Sequence, residues 1–187
     1  MGRIYIIGTS GIVKPFSSEA FICSIRKEMK VAKAMGCKKV IINSGAKSEK
    51  FVKQQFPDLP NQAFIHYGNF IGETILIASE LNFEEVVMGI MIGKAVKLAE
   101  GHLDTHSKKV VMNKDFLVQL ANECNCSETT KNTINDITMA RQLWDIIPDD
   151  ETHFFRTIIE KCHKVCLPLL PNGKIKIILI DENGNII

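Results

Sequence analysis

The first half of this chain alternates short apolar runs with glycine-bearing turns and helical patterns. Each run is only a few residues long and largely apolar throughout, which is typical of strands buried on both faces of a parallel sheet. The predicted strands are Arg3–Ile7, Lys39–Asn43, Ala63–His66 and residues 85–89. Because apolar residues recur at helical spacing between them, the pattern predicts an α/β fold: a three-layer, mostly parallel sheet with helices on both faces.

The second half changes character after Lys114. Helical spacing dominates, and a last apolar run and an Asn183-Gly184 turn signal follow it. The predicted elements are helices over Asp115–Glu123, Ser127–Ile146 and Glu151–His163, and a strand over Lys174–Ile180. We therefore expect one α/β domain over residues 1–187, with a sheet-and-helix core (1–113), a helical segment (114–165) and a final strand region (174–187).

Composition excludes several classes of protein. No apolar run approaches the roughly 20 residues of a membrane span, and Met1-Gly2-Arg3 does not resemble a signal peptide. The spacing of the six cysteines matches no zinc pattern, so we expect no metal site. Reduced, mostly structural thiols in a cytoplasmic protein are the favoured interpretation.

Charge is spread unevenly along the chain. Residues 1–56 carry a formal charge of +8, whereas residues 57–114 carry −2 and residues 115–187 carry −4. A basic first third suggests an anionic partner, although lysine-rich helix surfaces would give the same count. Nucleic acid is not indicated, because few aromatic residues interleave with the lysines and no nucleic-acid motif is present.

The richest chemistry lies between residues 89 and 107. A predicted strand ends at Gly89, a short helix opens at Gly93-Lys94 and includes Lys97, and Gly101 ends it. A polar loop follows, with the sequence Asp104-Thr-His-Ser107. Ligands bind at this strand-to-helix edge of open α/β sheets. The alternative is that the lysines are solvated and that His106 only stabilises its loop.

Four stretches, taken together and in order, resemble one family. They are Gly8-Thr-Ser-Gly-Ile-Val-Lys-Pro-Phe-Ser17, Gly68-Asn-Phe-Ile-Gly72, Gly93-Lys-Ala-Val-Lys-Leu-Ala-Glu-Gly101 and Asp104-Thr-His-Ser107. Their order and spacing resemble CbiD, the cobalt-precorrin-5B C1-methyltransferase family of anaerobic cobalamin biosynthesis. The resemblance implies methyl transfer from S-adenosylmethionine to an anionic cobalt-tetrapyrrole.

The resemblance suggests a division of roles along the predicted edge. Residues expected to bind the cofactor are Gly8, Thr9, Ser10, Gly11, Gly68, Asn69 and Gly72. Residues expected to bind the carboxylates of the substrate are Lys14, Lys94, Lys97, Thr105 and Ser107. His106 would accept the proton lost on methylation or hydrogen-bond a propionate, and a purely structural role is equally compatible with the sequence.

Two departures from the family pattern leave alternatives open. The chain begins at what resembles the second domain of the family, so we expect that an N-terminal domain is missing or is supplied separately. Met91 stands where the family typically carries histidine, and Asp104 replaces an asparagine. The alternatives are a non-catalytic module that binds cofactor or tetrapyrrole, and an α/β interaction domain for an acidic partner. A homo-oligomer is also compatible with the sequence.

Overall fold

The structure is a computed structural model that describes residues 17–187, and four strands in that range form one parallel sheet. The strands are β1 (Lys39–Asn43), β2 (Phe64–His66), β3 (Glu85–Met91) and β4 (Lys174–Ile180), in the spatial order β2-β1-β3-β4. The predicted α/β class is confirmed, and all four strands occur where the apolar runs predict them. The predicted strand Arg3–Ile7 lies outside the described residues.

Eight α-helices accompany the sheet within residues 17–187. They are α1 (Ser18–Ala34), α2 (Ala46–Gln55), α3 (Ile71–Glu80), α4 (Ile92–Ala99), α5 (Lys114–Glu123), α6 (Glu128–Asp136), α7 (Leu143–Ile146) and α8 (His153–Cys166). Three begin at a side-chain cap: Ser17, Asn113 and Ser127 each accept a hydrogen bond from the backbone N–H three residues later. Such caps satisfy N–H groups that have no partner inside the helix.

Alternate residues of each strand face opposite helical layers. On one face, Val52 of α2 packs in a small cluster with Ile41, Val87 and Ile178. On the other face a much larger core brings together the strands with α1, α3, α4 and α8. The predicted helices on both faces are therefore confirmed, because side chains of a strand point alternately to its two sides.

One predicted helix is wrong. The apolar spacing over Ser127–Ile146 predicts a continuous helix, but α6 ends at Asp136 and Ile137 is extended. The carboxamide oxygen of Gln142 accepts hydrogen bonds from the backbone N–H groups of Thr138 and Met139, at 2.8 and 2.9 Å. This side chain offers the backbone an alternative to helical bonding, so the chain turns before α7.

The predicted turn after β4 is confirmed, and it brings the last residues of the chain back alongside β4. Ile186 forms an antiparallel bridge with Ile180, and backbone hydrogen bonds join Leu179 and Ile187 in both directions. A Cβ built on Gly184 would lie 2.3 Å from the ring of Phe51 on α2, and its φ is +93°. Glycine is therefore required for this turn to pack against α2.

Ion pairs within the molecule neutralise part of the excess positive charge of the first third. Four cations of the basic first third pair with carboxylates from later in the chain: Arg26 with Glu80, Lys38 with Glu84, Lys39 with Glu85 and Lys47 with Glu182. All four pairs are at least partly exposed, so each contributes about 0–1 kcal/mol. The charge count by itself therefore gives weak support to an anionic partner, and a binding site must be identified by local geometry.

All six cysteines lie in the described range and are free thiols, as the sequence predicts. Burial raises the pKa of Cys126 and of Cys166 to about 12, which keeps both thiols protonated and unreactive at neutral pH. None of the described helices combines the length and hydrophobicity that crossing a membrane requires. No cluster of three or more potential metal ligands occurs within residues 17–187.

Removing the Glu151 carboxylate should destabilise the helical segment. Glu151 is only 9% exposed, and its Oε1 accepts a 2.8 Å hydrogen bond from the N–H of Ser127 at the start of α6. Glu151→Ala removes the charged acceptor of this N–H, so we expect a loss of about 1.5–3 kcal/mol in the free energy of unfolding. Urea denaturation at pH 7 measures it, with the exposed Glu128→Ala as the control.

The same variant should show a defined pH dependence. Burial opposes ionisation of Glu151, but hydrogen bonds from Ser127, Thr130 and Cys126 outweigh it and lower the pKa from 4.5 to about 2. A depressed carboxyl pKa stabilises the fold above pH 4.5, and this contribution disappears as the pH falls towards 2. The stability gap between wild type and Glu151→Ala should therefore shrink below pH 4.5. A gap independent of pH would contradict this account.

Candidate functional site

The carboxyl ends of the four parallel strands lie at the same edge of the sheet. At this edge, the connections that follow β1 and β3 run in opposite directions. The connection after β1 leads outwards to β2, and the connection after β3 leads the other way to β4. β1 and β3 are direct neighbours, with Asn43 in register with Gly89. This is the topological switch point at which open α/β sheets bind ligands, and the predicted site residues that the structure describes lie along this edge.

Three of the predicted site residues meet at the start of α4. Lys94 donates a hydrogen bond to the side-chain oxygen of Asn69, in the loop after β2. It donates a second to the hydroxyl of Thr105, at 3.2 Å. Lys97, one turn along α4, lies 3.5 Å from the carbonyl oxygen of Thr105. Residues that are up to 36 positions apart in the sequence thus form one cluster, named here the Lys94 cluster: Asn69, Lys94, Lys97 and Thr105.

Backbone pairing holds the two loops of the Lys94 cluster together. The N–H of Thr105 donates to the carbonyl of Asn69 at 3.0 Å, and Phe70 forms an antiparallel bridge with Asp104. The N–H of Gly72 donates to the carbonyl of Leu103 at 3.2 Å. Thr105 is also buried. These contacts fix Asn69 and Thr105 before any ligand arrives, as a preorganised site requires.

The Lys94 cluster is electropositive. Partial burial, and then the charge of Lys97, lower the pKa of Lys94 to about 8, while Asp104 acts in the opposite direction. No carboxylate within residues 17–187 lies at ion-pair distance from Lys94, because Asp104 pairs instead with Lys109 at 2.6 Å. An ammonium group held only by neutral oxygens is suited to bind an anionic group of a ligand.

The structure determines which nitrogen of His106 carries hydrogen. The backbone N–H of Lys108 donates to Nδ1 of His106 at 3.1 Å, so the neutral ring carries its hydrogen on Nε2. An Nε2–H group donates hydrogen bonds, which favours the predicted contact with a carboxylate over proton acceptance. The role of His106 stays a prediction. Ser107 is exposed beside it, on the surface of the same loop.

The two described glycines predicted to face the cofactor are explained by packing. A Cβ on Gly68 would lie 2.9 Å from the ring of Phe21, and the φ of Gly68 is +58°. A Cβ on Gly72 would lie 3.0 Å from Cβ of Leu103. Their assignment to a cofactor stays a prediction. The remaining predicted contacts, Gly8, Thr9, Ser10, Gly11 and Lys14, lie outside the described residues.

Sequence reasoning missed two glycines that face open space at this edge. Among residues 17–187, no neighbouring atom lies within 4 Å of a Cβ built on Gly45, after β1, or on Gly93, in the first turn of α4. Gly45 has a φ of +153° and follows Asn43, whose buried side chain accepts a hydrogen bond from its N–H. Both flank the switch point, so a ligand could approach the backbone there closely. The available signal was that Gly45 closely follows a predicted strand and that Gly93 opens a predicted helix.

A polar triad at the end of β2 was also missed. Nε2 of His66 lies 2.6 Å from Oε2 of Glu49 on α2, and Oε1 of Glu49 lies 2.6 Å from Nζ of Lys53. His66 immediately precedes the loop that carries Asn69. Its position at the end of a predicted strand could have identified it, but its carboxylate partner is 17 residues away on another element.

Comparison with known proteins identifies the family. The model of the CbiD C-terminal domain matches residues 104–187. A protein of Prosthecochloris aestuarii is 37% identical over 98% of this chain and 53% of its own length. Proteins of Geobacillus kaustophilus (38% identity, 92% of this chain, 47% of their own) and Thermus thermophilus (32%, 83% and 42%) are also similar. This chain belongs to the CbiD family.

The named CbiD relatives are all called cobalt-precorrin-5B C(1)-methyltransferase. The chain spans about half the length of the curated relatives that it matches. No significant match to a solved structure was found. The matches to the domain model and to the curated relatives confirm the resemblance to the CbiD family. Met91, where the resemblance implies histidine, packs against the apolar cluster on the α2 face of the sheet.

Proposed function

We propose that this chain takes part in the methylation of C1 of cobalt-precorrin-5B, with S-adenosylmethionine as the methyl donor. The observation that carries the proposal is the Lys94 cluster at the switch-point edge of a CbiD-family sheet. Its two lysines have no direct carboxylate partner among residues 17–187. Cobalt-precorrin-5B is a tetrapyrrole with many acetate and propionate groups. A site that offers cations held by neutral oxygens complements those carboxylates.

The described residues divide the task of binding the macrocycle. Lys94 and Lys97 would pair with carboxylates, and the exposed hydroxyl group of Ser107 would add a hydrogen bond. Thr105 is buried and would act by holding Lys94 in place. His106, with its hydrogen on Nε2, would donate to a further carboxylate oxygen. Lys14 is proposed for the same purpose from the sequence alone. Such contacts fix the orientation of the macrocycle, which is what an intermolecular methyl transfer chiefly requires.

We propose that the methyl donor binds at the switch point. Atoms of residues 17–187 leave open space beside the backbone of Gly45 and of Gly93. These two glycines would admit the donor together with the predicted Gly8–Gly11 turn. S-adenosylmethionine supplies a methyl group that is already electrophilic, because it is attached to a sulfonium. The protein therefore needs to align the two reactants and to exclude water from between them. A strong nucleophile on the protein is not required.

Methyl transfer can be tested directly. The chain is incubated with cobalt-precorrin-5B and S-adenosylmethionine, both alone and with the part of the Prosthecochloris aestuarii relative that this chain does not match. We expect a product heavier by one methylene group, together with S-adenosylhomocysteine. Because the chain spans about half of its relatives, turnover should be greater when the unmatched part is added. Mass spectrometry of the reaction measures both products.

Binding measurements distinguish a catalytic chain from a non-catalytic binding module. Isothermal titration calorimetry with S-adenosylmethionine, and with a polycarboxylate porphyrin, reports the two ligands independently. Binding of either ligand without a methylated product under both conditions would favour a non-catalytic binding module. The absence of binding and of product would contradict the proposed function altogether.

A further inference from the structure

His66 is distinguished from the other histidines of the chain by its partner. All five histidines lie within the described residues, and only His66 has a ring nitrogen within hydrogen-bond distance of a carboxylate, that of Glu49 at 2.6 Å. His102 lies 3.6 Å from Glu100, which is too long for a hydrogen bond. His153 bonds a backbone carbonyl, and His106 accepts from a backbone N–H.

The carboxylate fixes the tautomer of His66. Burial opposes ionisation of Glu49, but hydrogen bonds from Lys53 and His66 outweigh it and hold its pKa below the ordinary value. An ionised carboxylate only accepts hydrogen bonds, so Nε2 of His66 carries a hydrogen, and in the neutral ring the lone pair is on Nδ1. The same carboxylate would stabilise the ring after it gains a proton. An imidazole oriented by a carboxylate is the arrangement found in general bases.

The position of His66 places it at the proposed reaction edge. It ends β2, in register with Asn43 of β1, and is three residues from Asn69 of the Lys94 cluster. β2 and β3 are two strand spacings apart, about 10 Å. The His66 side chain is 41% exposed, whereas that of Glu49 is 22% exposed. His66 faces the α2 side of the sheet, whereas α4 and Lys94 lie on the other side. We therefore expect a macrocycle anchored at Lys94 to lie across this edge, where it would meet the accessible ring of His66.

We propose that His66, oriented by Glu49, accepts the proton that the macrocycle loses when C1 is methylated. The inference rests on the proposed function and adds a residue to it. The new carbon–carbon bond uses an electron pair of the macrocycle, and the sulfur keeps the electrons of the broken S–C bond. One proton then leaves the macrocycle for Nδ1 of His66 and is released to water. Glu49 is the positioning residue, and Lys53 holds its other oxygen.

Turnover of variants tests the proton transfer. His66→Gln should lower kcat about 100-fold while KM and the affinity for S-adenosylmethionine change little. Glu49→Gln should give a smaller loss of kcat, because the ring loses its orientation. Added imidazole should partly restore turnover to His66→Ala, which a structural role would not allow. His163→Gln, on α8, is the matched control. A kcat for His66→Gln within twofold of wild type would overturn the proposal.

A second measurement is independent of turnover. Nitrogen-15 NMR of the imidazole should show the hydrogen on Nε2 of His66, and Glu49→Gln should weaken that preference. Addition of a polycarboxylate porphyrin should shift the Nδ1 resonance of His66. If the wild-type chain does not methylate substrate, the proposed function fails, and this resonance still decides whether His66 faces the ligand. An unshifted Nδ1 resonance with the porphyrin bound would overturn the inference.

Discussion

Lys94→Glu should weaken the binding of a polycarboxylate porphyrin about a thousandfold. The substitution removes an ammonium group that is anchored by Asn69 and Thr105, and it places a carboxylate where the ligand carboxylate should lie. Loss of charged hydrogen bonds costs about 1.5–3 kcal/mol, and like-charge contact at a binding site costs several kcal/mol. Each 1.4 kcal/mol is a factor of ten in affinity. Isothermal titration calorimetry measures the change.

The pH dependence gives a second signature of the same site. The pKa of Lys94 is lowered to about 8, so the side chain is charged below that pH and neutral above it. Because an anion binds the charged form, porphyrin affinity should fall as the pH rises through about 8. Lys94→Met should bind weakly at every pH and lose this dependence. Lys176→Met, which removes an exposed lysine from β4, should bind like wild type. An unchanged affinity in Lys94→Glu would place the anion site elsewhere.

Gly89→Val should destabilise the fold by about 3 kcal/mol or more. Gly89 lies in the central strand β3, and a Cβ there would lie 2.3 Å from Cγ1 of Val52 on α2. Val52 is fully buried and β-branched, so it cannot rotate away without disturbing the cluster on this face. Overpacking of this kind typically costs 1–3 kcal/mol and occasionally more. Chemical denaturation followed by circular dichroism measures the loss.

Reciprocal substitution tests the cause of that loss. Val52→Ala removes the atom that a side chain at position 89 would meet, so Gly89→Ala with Val52→Ala should be more stable than Gly89→Ala alone. Gly93→Ala is the control, because a Cβ at position 93 meets no atom of residues 17–187 within 4 Å and the φ of Gly93 is not positive. Equal stability of the single and double variants would show that Val52 does not cause the loss.

The sheet was predictable because its signal is local. Lys39–Asn43 and Lys174–Ile180 are apolar enough to be recognised alone, and the structure gives them the same bounds. The continuous helix over Ser127–Ile146 was wrong because one side chain, Gln142, captures two backbone N–H groups. Apolar spacing carries no information about such a competing hydrogen bond.

The site was predictable only in part, for a different reason. Lys94, Asn69 and Thr105 were each suggested by their positions after strands, but their hydrogen bonds depend on how two loops pair. The pair of His66 and Glu49 depends on which face of the sheet α2 covers. Neither depends on spacing along the chain. Likewise, the ring of Phe21 on α1 leaves no room for a side chain at Gly68, although Phe21 lies 47 positions earlier in the chain.

The pairing of Phe70 with Asp104 restricts how this region can evolve. The segments around positions 69–72 and 103–105 are linked by three backbone contacts and by the tight fit of Gly72 against Leu103. An insertion in either segment alone would shift Asn69 relative to Thr105 and leave Lys94 without one of its partners. Length changes should therefore be accepted only when both segments change together. Likewise, a larger residue at position 72 should be accompanied by a smaller one at position 103.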